Sequence, residues 1–434
     1  MKYIFNPKSV ALIGATDRAG SVGKGLAINL LEGEKKRNVF FVNPNRKKVL
    51  NKKTYPQLKD IEQGIDLAVI VVPAKIVLQI VKECCEKKVK AVIIISSGFA
   101  ETGTKGAFIQ KQIQDFLECG NISLIGPNCL GILRPSTGLN VSFAPFTPKA
   151  GGIALISQSG ALLDSIIDAS SNKSYGFSAI ISYGNEAGLK LTDFLKWADN
   201  DPETKVISIY MEGLKNGREF FEIAEKSKKP IVVLKGGKTK TSQKAVSSHT
   251  GALAGEAEIY STAFKQAKIF EVESIKQLLN VSKALSWQPR CRNGIGIVSN
   301  GGGVAILSAD YCDKYNIILP DLKFKMPEKW SQNNPLDIIG DAISEDYSLA
   351  INSLLKQENI YGLIILQTVQ RMTDSLKNAK IIIEAKKKFK NKPIVTAFLG
   401  EKNIRKAVDL LEKNKIPNYS DPLEAVEAIK ALIK

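Results

Sequence analysis

Short runs of β-branched and aliphatic residues alternate, over the first third of the chain, with longer stretches whose apolar positions recur every three or four residues. Short apolar runs bounded by turn residues mark strands, and a recurrence near 3.6 marks helices that bury one face. The alternation predicts β-α-β units and hence a parallel sheet. Strands are expected at residues 10–13, 39–42, 67–72, 91–95 and 122–125, each followed by Gly, Pro, Asn or Ser. In open α/β sheets ligands bind outside the carboxyl ends of the strands, so the loops after these runs are where binding chemistry is to be sought.

The same plan returns twice. An apolar run at 152–156 leads into Ser157-Gln158-Ser159-Gly160 and a helical stretch at 161–169, and a run at 294–298 leads into Ser299-Asn300-Gly301-Gly302-Gly303 and a second helical stretch. The parallel continues downstream, where Ile207-Ser208-Ile209-Tyr210 echoes Leu363-Ile364-Ile365-Leu366 and Lys229-Pro230-Ile231-Val232 echoes Lys392-Pro393-Ile394-Val395. An internal repeat of this kind indicates two related domains, with the junction near Ser286-Trp287-Gln288-Pro289-Arg290. The expected fold is α/β with three parallel-sheet domains: a Rossmann-like domain at 1–146 followed by flavodoxin-like domains at 147–286 and 291–434.

The loops carry the candidate chemistry. Gly14-Ala15-Thr16, with Ser21 shortly before a helix, lets backbone approach a phosphate at a helix N-terminus, although the spacing is not a strict GxGxxG. The second strand ends in Asn43 with Arg46 close behind, where an NAD site would place an acid, so a phosphorylated ribose of NADP or coenzyme A fits better. Val72-Pro73, Ser97 and Asn128 follow later strands and converge on the same rim.

At Ser159-Gly160 two readings compete. Ser159 could be a nucleophile on a tight turn, although the full G-x-S-x-G is missing, or the turn could be an anion cradle of backbone N–H groups and a helix dipole. The repeat favours the cradle, because Gly301 stands where a second nucleophile would be. Gly301, Gly302 and Gly303 then form a second phosphate turn. The chain has one histidine, His249, set among small and hydroxylated residues that predict a loop able to swing, with a helix expected from about Glu256. A carboxylate can hold the Nδ1 proton of such an imidazole and expose Nε2 as nucleophile. Glu212, at the end of a strand, is the expected partner, with Glu186 and Glu256 also near enough in sequence. Two anion cradles and one imidazole suggest phosphoryl transfer through phosphohistidine.

Composition narrows the partners. The net charge of +18 comes from lysines scattered along the chain with no basic stripe or aromatic interleaving, which argues against nucleic acid and for anionic ligands. The six cysteines show no paired spacing, so neither a metal site nor a disulfide framework is expected. No apolar run is long enough to span a bilayer and the first apolar run enters a glycine loop, so a cytoplasmic protein without leader or membrane anchor is expected.

The Gly126-Pro127-Asn128-Cys129 turn resembles that of the coenzyme A-binding domain of the succinyl-CoA synthetase superfamily. With the Ser248-His249-Thr250-Gly251 stretch, Ser-Gln-Ser-Gly and Ser-Asn-Gly-Gly-Gly, nearly the whole chain resembles the α subunit of the ADP-forming acyl-CoA synthetases. The resemblance implies that acyl-CoA, with acetyl-CoA as the expected thioester, plus ADP and phosphate becomes carboxylate, ATP and CoA by way of an acyl phosphate and phosphohistidine at His249. It implies coenzyme A at the N-terminal rim (Gly14, Ala15, Thr16, Ser21, Asn43, Arg46, Val72, Pro73, Ser97 and Asn128), and phosphate at Ser159, Gly160 and Gly301 to Gly303. It also implies an ATP-grasp β subunit, absent from this chain, bringing ADP or ATP with Mg2+ in an α2β2 assembly. The alternatives are a serine hydrolase using Ser159 and His249, and a CoA-binding regulatory or scaffolding protein without catalysis.

Overall fold

The aliphatic runs of the N-terminal third form a mainly parallel sheet in the computed structural model of the chain, which describes residues 1–243, 257–323 and 325–434. Its strands are β1 (Ser9–Ile13), β2 (Asn38–Val42), β3 (Lys48–Val49), β4 (Lys52–Tyr55), β5 (Leu67–Ile70), β6 (Ala91–Ile94) and β7 (Ser123–Ile125). They lie in the order β3-β4-β2-β1-β5-β6-β7. Every residue of β1, β5 and β6 is buried, as expected for a parallel sheet covered on both faces. Each fully buried Val, Ile or Leu there contributes about 1.5–3 kcal/mol. The chain leaves β1 for β2 on one side and resumes at β5 on the other, so the loops after β1 and β5 flank a topological switch point.

A second sheet is built from β8 (Gly131–Arg134), β9 (Leu139–Ser142), β10 (Ala150–Ser157), β11 (Phe177–Ser182), β12 (Val206–Met211), β13 (Ile231–Lys235) and β14 (Phe270–Val272), in the order β14-β13-β12-β10-β11-β8-β9. From β10 to β14 the pairing is parallel, whereas β8 and β9 are an antiparallel hairpin on the edge of β11. The sequence pattern did not mark this hairpin. Its turn closes through Gly138 in the left-handed region, and Gly131 at its start lies so near Val141 that a Cβ would sit 1.9 Å from that carbonyl oxygen. Asn29, on the helix Val22–Glu32, donates to the carbonyls of Ser142 and Ala144 at 2.8 and 2.9 Å and so ties the hairpin to the first sheet. One hydrophobic core runs from β1 and its helix through Ile132 and Val141 to Ile209 and Val233.

By packing, the chain divides into two units, Met1–Val272 and Glu273–Lys434. Both sheets above belong to the first. The second unit holds a parallel sheet of β15 (Ile295–Ser299), β16 (Leu336–Asp337), β17 (Gly362–Gln367) and β18 (Ile394–Phe398) in the order β16-β15-β17-β18. Its core joins Val298, Leu363 and Ile365 to Tyr347, Ile351 and Leu354 of the helix Ser344–Lys356. The helix Ile275–Trp287 carries a buried lysine, Lys283, bonded to Glu412 and to the carbonyl of Asn418, both at 2.8 Å.

Local hydrogen bonds shape the polar stretch that begins at the end of β13. Lys235 ends β13 and is buried, and Lys240 to Gln243 are helical because Thr239 and Ser242 cap one another reciprocally.

Candidate functional site

The loops beyond the first sheet are held by a chain of local hydrogen bonds. Gly14 adopts a φ of +97° where a Cβ would lie 2.4 Å from the carbonyl oxygen of Val71, so only glycine lets the end of β1 pass that close. Asn43 donates to the carbonyl of Ala15 at 2.8 Å, Thr16 accepts from the Arg18 N–H, and Ser21 caps the helix Val22–Glu32 through the Lys24 N–H at 3.3 Å. Arg46, the expected phosphate cation, is paired with Asp17. Ser96 grips Val72 reciprocally, accepting from its N–H at 3.1 Å and donating to its carbonyl at 2.6 Å, just before Pro73 opens the helix Ala74–Glu86. Asn128 donates its own N–H to the carbonyl of Ser96 and its side chain meets Asn185.

Ser159 stands at the entrance of the helix Gly160–Ala169. Its Oγ accepts from the Leu162 N–H at 3.3 Å, the role of an N-cap. Behind it, the buried Ser157 hydroxyl accepts from the Ser159 N–H at 3.0 Å and donates to the Ser159 carbonyl at 2.9 Å, which fixes the turn. Between the two serines, the Gln158 side-chain amide oxygen, Oε1, accepts from the backbone N–H groups of Glu212 and Gly213. The turn that could hold an anion is thus tied directly to the residue expected to orient an imidazole. That orientation of Gln158 leaves its amide N–H2 for another acceptor.

These parts share a cavity of about 430 Å³, lined among others by Ser97, Asn128, Ser159 and Gly160 of the expected site residues, with Gln158 and Asp164. Val22 and Val71, next in sequence to Ser21 and Val72, also line it. Gly14, Ala15, Thr16, Asn43, Arg46 and Pro73 do not; they occupy the loops beyond β1, β2 and β5. Cys129, in the same wall, is buried and its thiol is pushed up to about 12 by desolvation, so it carries no thiolate at neutral pH.

Glu212 is 7% exposed and meets the Tyr210 hydroxyl at 3.3 Å. Glu186 instead accepts from the Leu191 N–H at 2.8 Å, within 3.9 Å of Lys215, and is raised chiefly by burial. Lys235, missed in the sequence because a lysine at a strand end usually points to water, donates to the Glu212 carbonyl at 2.8 Å and to that of Gly236, and lies 4.7 Å from the Tyr260 ring. Burial lowers its pKa. His249 and Glu256 lie outside the described residues.

The second unit repeats the turn. Ser299 accepts from the Gly301 N–H at 3.1 Å and donates to the Gly301 carbonyl at 3.0 Å, where Gly301 opens the helix Gly302–Lys314. Asn300 plays the part of Gln158, accepting from the Thr368 N–H at 2.8 Å. Asp337 lies beside Gly302, where a Cβ would sit 3.1 Å from its carboxylate, and Gly303 faces open space. Among the described residues no three acidic, His or Cys side chains gather as metal ligands, and no helix is long and apolar enough to cross a membrane.

Residues 8–135 match the CoA binding domain family and residues 150–285 the succinyl-CoA ligase-like flavodoxin domain family. Over all of its length the chain is 37% identical to the α subunit of ADP-forming acetate–CoA ligase II of Pyrococcus furiosus, covering 97% of it. It is 42% identical to an ADP-forming acetate–CoA ligase of Methanocaldococcus jannaschii, of whose length it spans 63%. In structure it is similar to a dinucleotide-forming acetyl-coenzyme A synthetase of Candidatus Korarchaeum cryptofilum in complex with phosphate and ADP, with a TM-score of 0.93 at 33% identity, 99% of this chain and 96% of that one being covered.

Proposed function

The chain belongs to the ADP-forming acetate–CoA ligase family, and from that premise we propose that it carries the thioester half of such a ligase. An acyl-CoA, acetyl-CoA being the expected one, would enter with its thioester in the 430 Å³ cavity and its nucleotide end along the loops after β1, β2 and β5. Residues 1–146 would serve coenzyme A, 147–286 the phosphohistidine segment, and 291–434 a second anion-binding domain.

Phosphate held at the start of the helix Gly160–Ala169, by the Gly160 N–H of the Ser159-Gly160 turn and the helix dipole, attacks the thioester carbonyl, the C–S bond breaks, and the thiolate takes up the proton that phosphate gives up. The His249 Nε2 then attacks phosphorus, the P–O bond to the acyl group breaks, and carboxylate leaves. Glu212 would hold the Nδ1 proton of that imidazole, a role favoured over Glu186 because Glu186 is spent on the helix Leu191–Asn200. From His249 the phosphoryl group passes to ADP on an ATP-grasp partner, proposed as a separate β subunit in an α2β2 assembly. Mg2+ would arrive there with the nucleotide. Gly301, Gly302 and Gly303 would supply a second anion turn.

The observation that carries this reading is the shared wall of the cavity, where the Ser159 turn faces Ser97 and Asn128 while Gln158 connects it to Glu212. Ser159 spends its Oγ on a cap, which gives the hydrolase alternative no support. The test is incubation with acetyl-CoA and labelled phosphate, without nucleotide, followed by acid and alkali treatment. Acid-labile, alkali-stable label on the wild type and none on His249→Ala is expected; equal labelling of both overturns the mechanism.

A further inference from the structure

One group in the cavity wall has no part in that chemistry. Asp164 lies on the helix Gly160–Ala169, four residues beyond Gly160 and therefore on the same face of the helix, one turn further in. Its Oδ1 is buried and has no hydrogen-bond partner among the described residues. Among the described residues no lysine or arginine shares the wall, and desolvation pushes the carboxyl up to about 6. Asp164 as a whole is half-buried, but a buried carboxylate oxygen normally finds a donor, and leaving it unmet costs stability. A donor that arrives with a ligand would complete it.

The ligand chemistry can be narrowed. Among the described residues Asp164 is the one acid in the cavity wall, so it offers no set of ligands for a divalent cation. A phosphate beside it would be repelled, which confines anions to the Ser159 end of the helix. What remains is a neutral N–H or O–H. Building on the acyl-CoA reading above, we propose that Asp164 is a substrate-binding residue whose carboxylate accepts a hydrogen bond from a neutral donor of the bound acyl-CoA. That donor is either an amide N–H of the pantetheine arm or a hydroxyl on the acyl chain. Asp164 thereby keeps the neutral part of the substrate beside the helix and the phosphate at its tip.

The test compares wild type, Asp164→Asn and Asp164→Leu by isothermal titration with butyryl-CoA, 4-hydroxybutyryl-CoA and inorganic phosphate. Both substitutions remove a poorly solvated charge and are expected to fold, which thermal unfolding checks. Asp164→Leu should weaken thioester binding about tenfold to a hundredfold, and Asp164→Asn, which keeps an acceptor, by less than about tenfold. Phosphate affinity should stay the same or improve in both. Equal loss on the two thioesters assigns the donor to pantetheine; loss confined to the hydroxylated one assigns it to the acyl chain. If Asp164→Leu binds both thioesters as tightly as wild type, the inference is wrong while the acyl-CoA reading stands. Failure of the wild type to bind either overturns that reading and this inference with it.

Discussion

Ser157→Ala and Ser299→Ala delete the same hydroxyl from two copies of one turn, and the structure gives both the same consequence. Each hydroxyl is fully buried and makes two bonds to the residue two positions on, at 3.0 and 2.9 Å for Ser157 and at 3.1 and 3.0 Å for Ser299. A typical buried bond contributes about 0.5–1.5 kcal/mol net, and an N–H left without acceptor costs about 1–3 kcal/mol. Each substitution should therefore destabilise its own unit by roughly 2–3 kcal/mol, the two values agreeing within about 1 kcal/mol. For domains of this size that corresponds to a fall of roughly 4–10 °C in the midpoint of the affected unit. Because the chain holds two units, one midpoint for the whole would mix them, so hydrogen exchange read segment by segment is the better assay. Ser157→Ala should raise exchange around residues 159–162 and Ser299→Ala around residues 301–304. The Ser159 turn also lines the cavity, so Ser157→Ala should lower phosphate labelling about tenfold or more. A variant that keeps wild-type exchange and melts within a degree of wild type would show that the hydroxyl does not hold the turn.

Other parts of the first unit make separate predictions. Arg134 and Asp201 form a buried pair at 2.7 Å, with Glu203 a second and more exposed partner of the guanidinium at 3.1 Å, and Asp201 also accepts from the Thr204 N–H and hydroxyl, so Asp201→Ala should cost about 3–5 kcal/mol in urea unfolding; less than about 1 kcal/mol would mean that Glu203 alone satisfies the guanidinium. Asp164 titrates near 6 instead of its ordinary 3.8, so the folded state loses stability as pH rises from about 4 to 6. Asp164→Asn should then gain roughly 1 kcal/mol at pH 7.5, the full shift being discounted for partial exposure, and nothing near pH 3.5; a gain independent of pH would assign the effect to packing. Gln158→Leu frees the N–H groups of Glu212 and Gly213 and should lower phosphohistidine formation at least tenfold while leaving CoA affinity within about threefold; a loss of CoA affinity instead would place Gln158 on the coenzyme.

Much of this arrangement was legible before any coordinates. Parallel strands buried on both faces must be almost continuously apolar, and β1, β5, β6 and β12 are, so they stand out from the chain. The repeated Ser-polar-Ser/Gly turn was equally plain because its spacing is fixed by a strand end and a helix start. The hairpin of β8 and β9 was not, since its short strands surround Arg134 and Asn140 and show no clean alternation; their burial depends on Asp201 and Thr147, distant in sequence or around a corner. Ser157 looked no different from Ser159, although one is the brace and the other the cap. Asp164 and Lys235 did not stand out, because a sequence does not say which charged side chain a neighbouring element will cover.

The two copies differ where chemistry would need them to. Ser157 pairs in register with Tyr210 and Ser299 with Leu366, so Glu212 and Thr368 occupy equivalent places beyond β12 and β17. Likewise Met211 pairs with Lys235 and Gln367 with Phe398. The scaffold of each turn is retained down to the serine that braces it and the amide that reaches the next strand, yet the first copy sets a carboxylate and an ammonium around that strand end where the second sets a hydroxyl and a phenyl ring. A backbone turn alone suffices to hold an anion, but orienting an imidazole and supporting the charge it gains requires a carboxylate held in place. The phosphoryl-transfer step is therefore expected at the copy that carries Glu212. Thr368→Glu in the second copy should leave labelling of His249 unchanged, whereas Glu212→Gln should reduce it at least tenfold with the turn still folded. If Glu212→Gln labels at the wild-type rate, the difference between the copies is a matter of packing and the imidazole takes its orientation from another residue.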